Sequence, residues 1–183
     1  MDGRSLTPHE IASLRPVFGD SLDLSPIRLT RDHPLAFYAP KTLGNTIHLR
    51  SDWGLFAGTG LDLSERGLSV LVHELVHAWQ YQNGGLGYIT GSLLAQHAAW
   101  RRGGARSGAY RWRPAADAGL PWSRWNPEQQ AQAIQDWWDA RVRLDRDDPR
   151  SSDAALVERA ALYLRQLRAG EGAPRLSQLW SAG

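Results

Sequence analysis

The chain has 183 residues and a mass of 20.4 kDa, with 42% hydrophobic and 22% charged residues. That is a globular composition for one domain over residues 1–183, and it excludes a disordered tail, a collagen-like rod and a low-complexity scaffold. Zero cysteines exclude a disulfide framework, a thiolate metal site, a cysteine nucleophile and an iron–sulfur cluster. The pI near 9.3 overstates a net charge of only +2, carried by 20 arginines and the single Lys41. No apolar run reaches the roughly 18 residues of a membrane span, and the first residues lack the basic-then-apolar order of a secretory signal.

Thr7-Pro8-His9-Glu10 opens a helix, with Thr7 as cap, Pro8 at the first helical position and Glu10 closing a capping box. Ile11, Leu14, Val17 and Phe18 form its apolar face, and Gly19 ends it. Short strands are expected over residues 27–30, 36–38 and 46–49, punctuated by Pro34, Pro40 and Gly44-Asn45. Ser64 caps a helix that runs to about Gln82, where Asn83-Gly84-Gly85 stops it. Helices follow over residues 89–102, 126–144 and 152–169, the second opened by Asn126-Pro127-Glu128-Gln129, which repeats the cap, proline and amide order of the first helix. The expected fold class is α+β, with a small N-terminal sheet and a helical majority. Nine tryptophans point mainly to a densely packed core.

Nine of the fourteen residues from Leu68 to Tyr81 are apolar, so their helix is expected to be buried on most sides. His73, Glu74 and His77 interrupt that pattern, and burying them costs several kcal/mol unless something compensates. A divalent ion does so, because two histidines at i and i+4 lie on one helix face and can hold it together. Glu74 follows the first ligand and can take a proton from the water that such an ion activates. The His-Glu-x-x-His pattern is that of zinc metallopeptidases, and Zn2+ suits two imidazoles, a carboxylate and an open position. For the third ligand, Glu128 in the first turn of a capped helix is favoured for its rigid setting. His97 and Asp117 are its rivals.

Ala36-Phe37-Tyr38, Thr42-Leu43-Gly44-Asn45-Thr46-Ile47 and Leu71-Val72-His73-Glu74-Leu75-Val76-His77-Ala78-Trp79-Gln80 resemble the zincin-like metallopeptidase domain encoded with extracellular contractile injection systems. Tyr110-x-Trp112, Trp125-Asn126-Pro127-Glu128-Gln129-Gln130-Ala131 and Asp136-Trp137 resemble its relatives among type VI secretion spike proteins. The resemblance covers residues 27–138. It implies a zincin-like fold with a short sheet over the active-site helix, peptidase activity, His73, His77 and Glu128 as ligands, and Glu74 as general base. It also allows export through an injection apparatus, which needs no signal peptide, so the expected location is the cytoplasm or export by that route. A peptide or protein substrate and a secretion-apparatus or immunity protein are the implied partners.

By the same logic an extended substrate adds as a strand to the sheet edge, with Thr46, Ile47 and His48 in strand 46–49 as the expected docking edge. Tyr110, or His97, is a candidate donor for the oxyanion. Arg101, Arg102, Arg106, Arg111 and Arg113, interleaved with Trp100, Tyr110 and Trp112, could contact an anionic partner, but a cationic helix end and solvated loop explain them more simply. Nucleic acid and membrane are therefore not expected partners. Two function classes stand: a zinc hydrolase of peptide bonds, and a zinc-binding adaptor or cargo protein of the same shape without turnover.

Overall fold

The computed structural model describes residues 3–36, 38–101 and 106–175. Phe37 and Arg102 lie outside the described residues, as does the side chain of Arg106. Helix α1 (Pro8–Phe18) begins with both halves of the capping box formed: Thr7 Oγ1 accepts from Glu10 N, and the Glu10 carboxylate accepts from Thr7 N. Glu10 also takes a two-pronged bond from Arg4, which pins strand β1 (Gly3–Ser5) to the helix start.

Strands β2 (Arg28–Arg31), β3 (Lys41–Leu43) and β4 (Thr46–Leu49) complete one four-stranded sheet in the order β1-β2-β4-β3. β2 and β4 run parallel, and the other pairs are antiparallel. The expected edge at Thr46, Ile47 and His48 is therefore corrected. Strand 46–49 is paired on both sides, because the Gly44-Asn45 turn folds β3 back onto its outer flank while β2 occupies the inner one. Gly44 adopts φ +60 there, a conformation that glycine takes at little cost. His48 is buried, stacks on His33 at 4.3 Å and shares a 2.7 Å hydrogen bond with Thr30 Oγ1. Of the strand expected over residues 36–38, Ala36 instead closes a 3-10 turn, Pro34–Ala36, where Pro34 removes a ladder donor, Tyr38 lies in a bend, and Phe37 is outside the described residues. β1 and β3 escape sequence patterning because each has three residues, too few to show an alternation.

Helix α2 (Glu65–Gly84) lies under the sheet, capped by Ser64 Oγ on Gly67 N. Gly67 is required by close approach, since a Cβ there would stand 2.0 Å from Leu55 O. Leu71, Val72, Leu75, Val76 and Trp79 of α2 are fully buried with Ile47 and Leu49 of the sheet. α3 (Gly87–Arg101), α4 (Arg113–Asp117), α5 (Pro127–Asp145) and α6 (Asp153–Arg168) form the helical remainder, so the fold is α+β.

Four aromatic rings brace the start of α5. Trp125 packs 4.4 Å from Tyr163 and 5.4 Å from Trp122, and Trp112 stacks on Trp125 at 5.9 Å. Each indole N–H has a partner: Asp136 for Trp112, Glu171 O for Trp122 and Leu120 O for Trp125. Trp112 thus belongs to the core rather than to an exposed basic and aromatic face, whereas Trp100 is exposed.

Asp153 is buried at the start of α6, where its carboxylate accepts from Arg143 and from Arg150 N. The Arg143 hydrogen bond, outweighing burial, holds this carboxyl down at about 2, below its ordinary 3.8. A depressed folded-state pKa contributes stability that is present above the ordinary value and is lost as pH falls through the folded one. The melting-temperature gap between the wild type and Asp153→Asn should therefore be constant above about pH 5 and shrink toward pH 2. A gap independent of pH would refute this role for Asp153.

Candidate metal centre

His73 and His77 project from the same face of α2, one turn apart, with ring centroids 5.2 Å from each other. Glu128 reaches them from α5, where the Asn126–Gln129 capping box and Pro127 fix the first turn. Its Oε2 stands 3.4 Å from His73 Nε2 and 3.5 Å from His77 Nε2. Two ligands bound at about 2.0–2.1 Å around a small tetrahedral ion stand roughly 3.4 Å apart, so this donor set fits one. All three residues are buried, their ligand atoms lie within 4.8 Å of one another, and they are the only such group among the described residues.

The remaining atoms of each ligand are held by glutamines. His77 Nδ1 lies 2.8 Å from Gln80 Oε1, and the Gln80 amide nitrogen donates to Pro127 O and Gln130 Oε1. His73 Nδ1 lies 3.1 Å from Gln135 Oε1, whose nitrogen donates to Ser69 Oγ. Both amide oxygens face the rings and accept from Nδ1–H, so with an ion bound each imidazole would turn its Nε2 lone pair to the centre, an assignment that follows from the network. Gln96 Nε2 donates to Glu128 Oε1 at 3.1 Å, leaving Oε2 for the ion. Gln80, Gln96 and Gln135 were not singled out from the sequence. Only Gln80 left a trace there, as a polar residue three positions after His77 on an apolar helix.

In the ion-free site these charges compensate one another. Burial presses the His77 imidazolium down, but the charge and hydrogen bond of Glu128, with the charge of Glu74, outweigh it and bring the group up to about 9. Burial acts on Glu128 in the opposite direction, and the two histidines overcome it, holding that carboxyl far below the usual range.

Glu74 is buried, and its Oε2 accepts from Thr42 Oγ1 at 2.7 Å. It shares a cleft of about 250 Å³ with His73, His77, Glu128, Tyr88 and Tyr110. The Tyr110 ring packs 5.8 Å from His73, and the Tyr88 ring stacks 5.9 Å from His77. The capping side chains of α5 also place Tyr110: Asn126 Nδ2 donates to Ala109 O, and Gln129 Nε2 donates to Arg111 O.

The other sequence candidates lie elsewhere. His97 is exposed on α3 beside Trp100, and Asp117 pairs with Arg159 at the surface. Thr46, Ile47 and His48 are separated from the cleft by β3.

A stretch of the chain is 33% identical over 91 residues to part of the type VI secretion system spike protein VgrG2b of Pseudomonas aeruginosa, covering 45% of this chain and 8% of that protein. No family model matches the chain, and no solved structure does. No helix among the described residues is long and apolar enough to cross a membrane. The chain is thus a partial relative of a secretion-system spike protein, with one buried two-histidine, one-carboxylate group that could hold a metal ion.

Proposed function

We propose that the protein is a zinc-dependent metallopeptidase that hydrolyses peptide bonds and works in connection with a type VI or related injection apparatus. The observation that carries this reading is the convergence of His73 Nε2, His77 Nε2 and Glu128 Oε2 in a cleft that Glu74 also lines. A zincin-like arrangement accounts for it: the ligand helix under a short sheet, with the third ligand from a later helix. The partial likeness to VgrG2b supports the secretion context.

Zinc at this position would supply Lewis acidity, polarising the scissile carbonyl and acidifying water. Glu74, one residue after the first ligand, takes a proton from the attacking water and passes it to the leaving amine. Thr42 Oγ1 holds one carboxylate oxygen of Glu74, which fixes this side chain at the wall of the cleft. Tyr110 stands beside His73 at the cleft wall as the candidate donor to the oxyanion.

Purified protein should contain one zinc per chain, and it should cleave members of a broad peptide library in a reaction that a chelator stops and zinc restores. Zinc-loaded protein that cleaves nothing would favour the adaptor alternative. Gln80→Ala should weaken zinc binding by about tenfold, because His77 loses the group that fixes its tautomer and orientation. A competition titration with a chromophoric chelator measures this, and unchanged affinity would remove Gln80 from the site.

A further inference from the structure

β3 is the outer strand of the sheet and forms one wall of the cleft. The two-residue turn makes Leu43 and Thr46 the closing pair of the hairpin. Hydrogen bonding toward β4 therefore falls to Leu43 and Lys41, and the N–H and C=O of Thr42 point outward, along the cleft. Tyr88, from the first turn of α3, meets this edge: its hydroxyl donates to Thr42 O and accepts from Gly44 N, both at 3.0 Å.

Those two groups flank Leu43, and they are the pair that a residue of a parallel neighbouring strand would engage. The phenol thus stands in for the next strand at this end of the edge. It is also held firmly, 3% exposed and stacked on His77. In the other direction the chain reaches Pro40, which has no N–H to offer. Between the two, the Thr42 N–H is the ladder donor facing the cleft, on the residue whose side chain holds Glu74. Across the cleft, Ser92 of α3 has a buried hydroxyl with no hydrogen-bond partner, a group that a bound amide could satisfy.

We propose that Tyr88 is a specificity-determining residue that caps the docking edge, so that the site takes a short amide segment paired on one side of the scissile bond rather than a long chain laid across both. This inference rests on the peptidase reading. An extended segment adds to β3 through Thr42 N–H, and residues beyond the Tyr88 end gain no ladder bonds.

The test uses zinc-loaded Glu74→Gln protein, which binds without cleaving, and fluorescence anisotropy with a labelled Ala-Leu-Leu-Ala peptide. The peptide is then lengthened by two alanines at its amino end or at its carboxyl end. With Tyr88 present, lengthening should tighten binding at one end only. With Tyr88→Ala added, lengthening at either end should tighten it by about threefold or more, the scale of one net hydrogen bond. Tyr88→Phe, which keeps the ring and removes the hydroxyl, should move in the same direction by less, and it decides the matter if the alanine variant does not fold. Measurable binding with the same length dependence in all three proteins would overturn the role of Tyr88 alone. No binding by any of them, together with no hydrolysis by the wild type, would overturn the peptidase reading and this inference with it.

Discussion

Glu74→Gln should leave the zinc content and the melting curve of the protein close to wild type while lowering peptide hydrolysis by about a hundredfold or more, the scale of a lost positioned base. The expectation follows from what each atom of Glu74 does. Its carboxylate is not among the three groups that converge on the ion site. Glutamine has the same shape, and its amide oxygen can still accept from Thr42 Oγ1 where Glu74 Oε2 now does. What disappears is the capacity to take a proton. Metal analysis and steady-state kinetics on the same preparation separate the outcomes. Zinc lost together with activity would make Glu74 a ligand, and activity retained would remove it as the base.

The parts of this molecule that were legible in its sequence are those written in local spacing. The starts of α1 and α5 follow from Thr7 with Glu10 and from Asn126 with Gln129, because a capping box is completed within four residues and both are formed. The pairing of His73 with His77 follows from helix geometry alone. The docking edge was not legible in this way. Whether β4 lies inside the sheet depends on β3, a Lys-Thr-Leu tripeptide whose single partner strand and outward edge are set by the Gly44-Asn45 turn and by Tyr88, more than forty residues away. The glutamines around the ligands were hidden for a related reason. A neutral amide on a helix reads as a surface residue until the packing of α2 against α5 shows what it faces.

The neighbours Gln96 and His97 show how a single residue step decides a role. They are about 100° apart around α3, and the glutamine, not the histidine, faces the cleft and donates to Glu128 Oε1. Glu128→Ala should therefore bind zinc at least about tenfold more weakly, since it removes one of three protein bonds to the ion. His97→Ala should keep full affinity. Folding is a separate question with its own answer: Asn126, Pro127 and Gln129 remain in place in the Glu128→Ala protein, and the aromatic cluster behind them is untouched. Removing Glu128 also takes from His73 and His77 the carboxylate that compensates them in the ion-free site and from Gln96 its acceptor, so the variant without metal should melt below the wild-type apoprotein while still folding. The wild type should gain more from added zinc than the variant, because a ligand that binds only the folded state stabilises it in proportion to the logarithm of its binding strength. Chelator competition and paired melts with and without zinc measure both effects. If zinc affinity falls in His97→Ala and holds in Glu128→Ala, α3 rather than α5 supplies the third ligand.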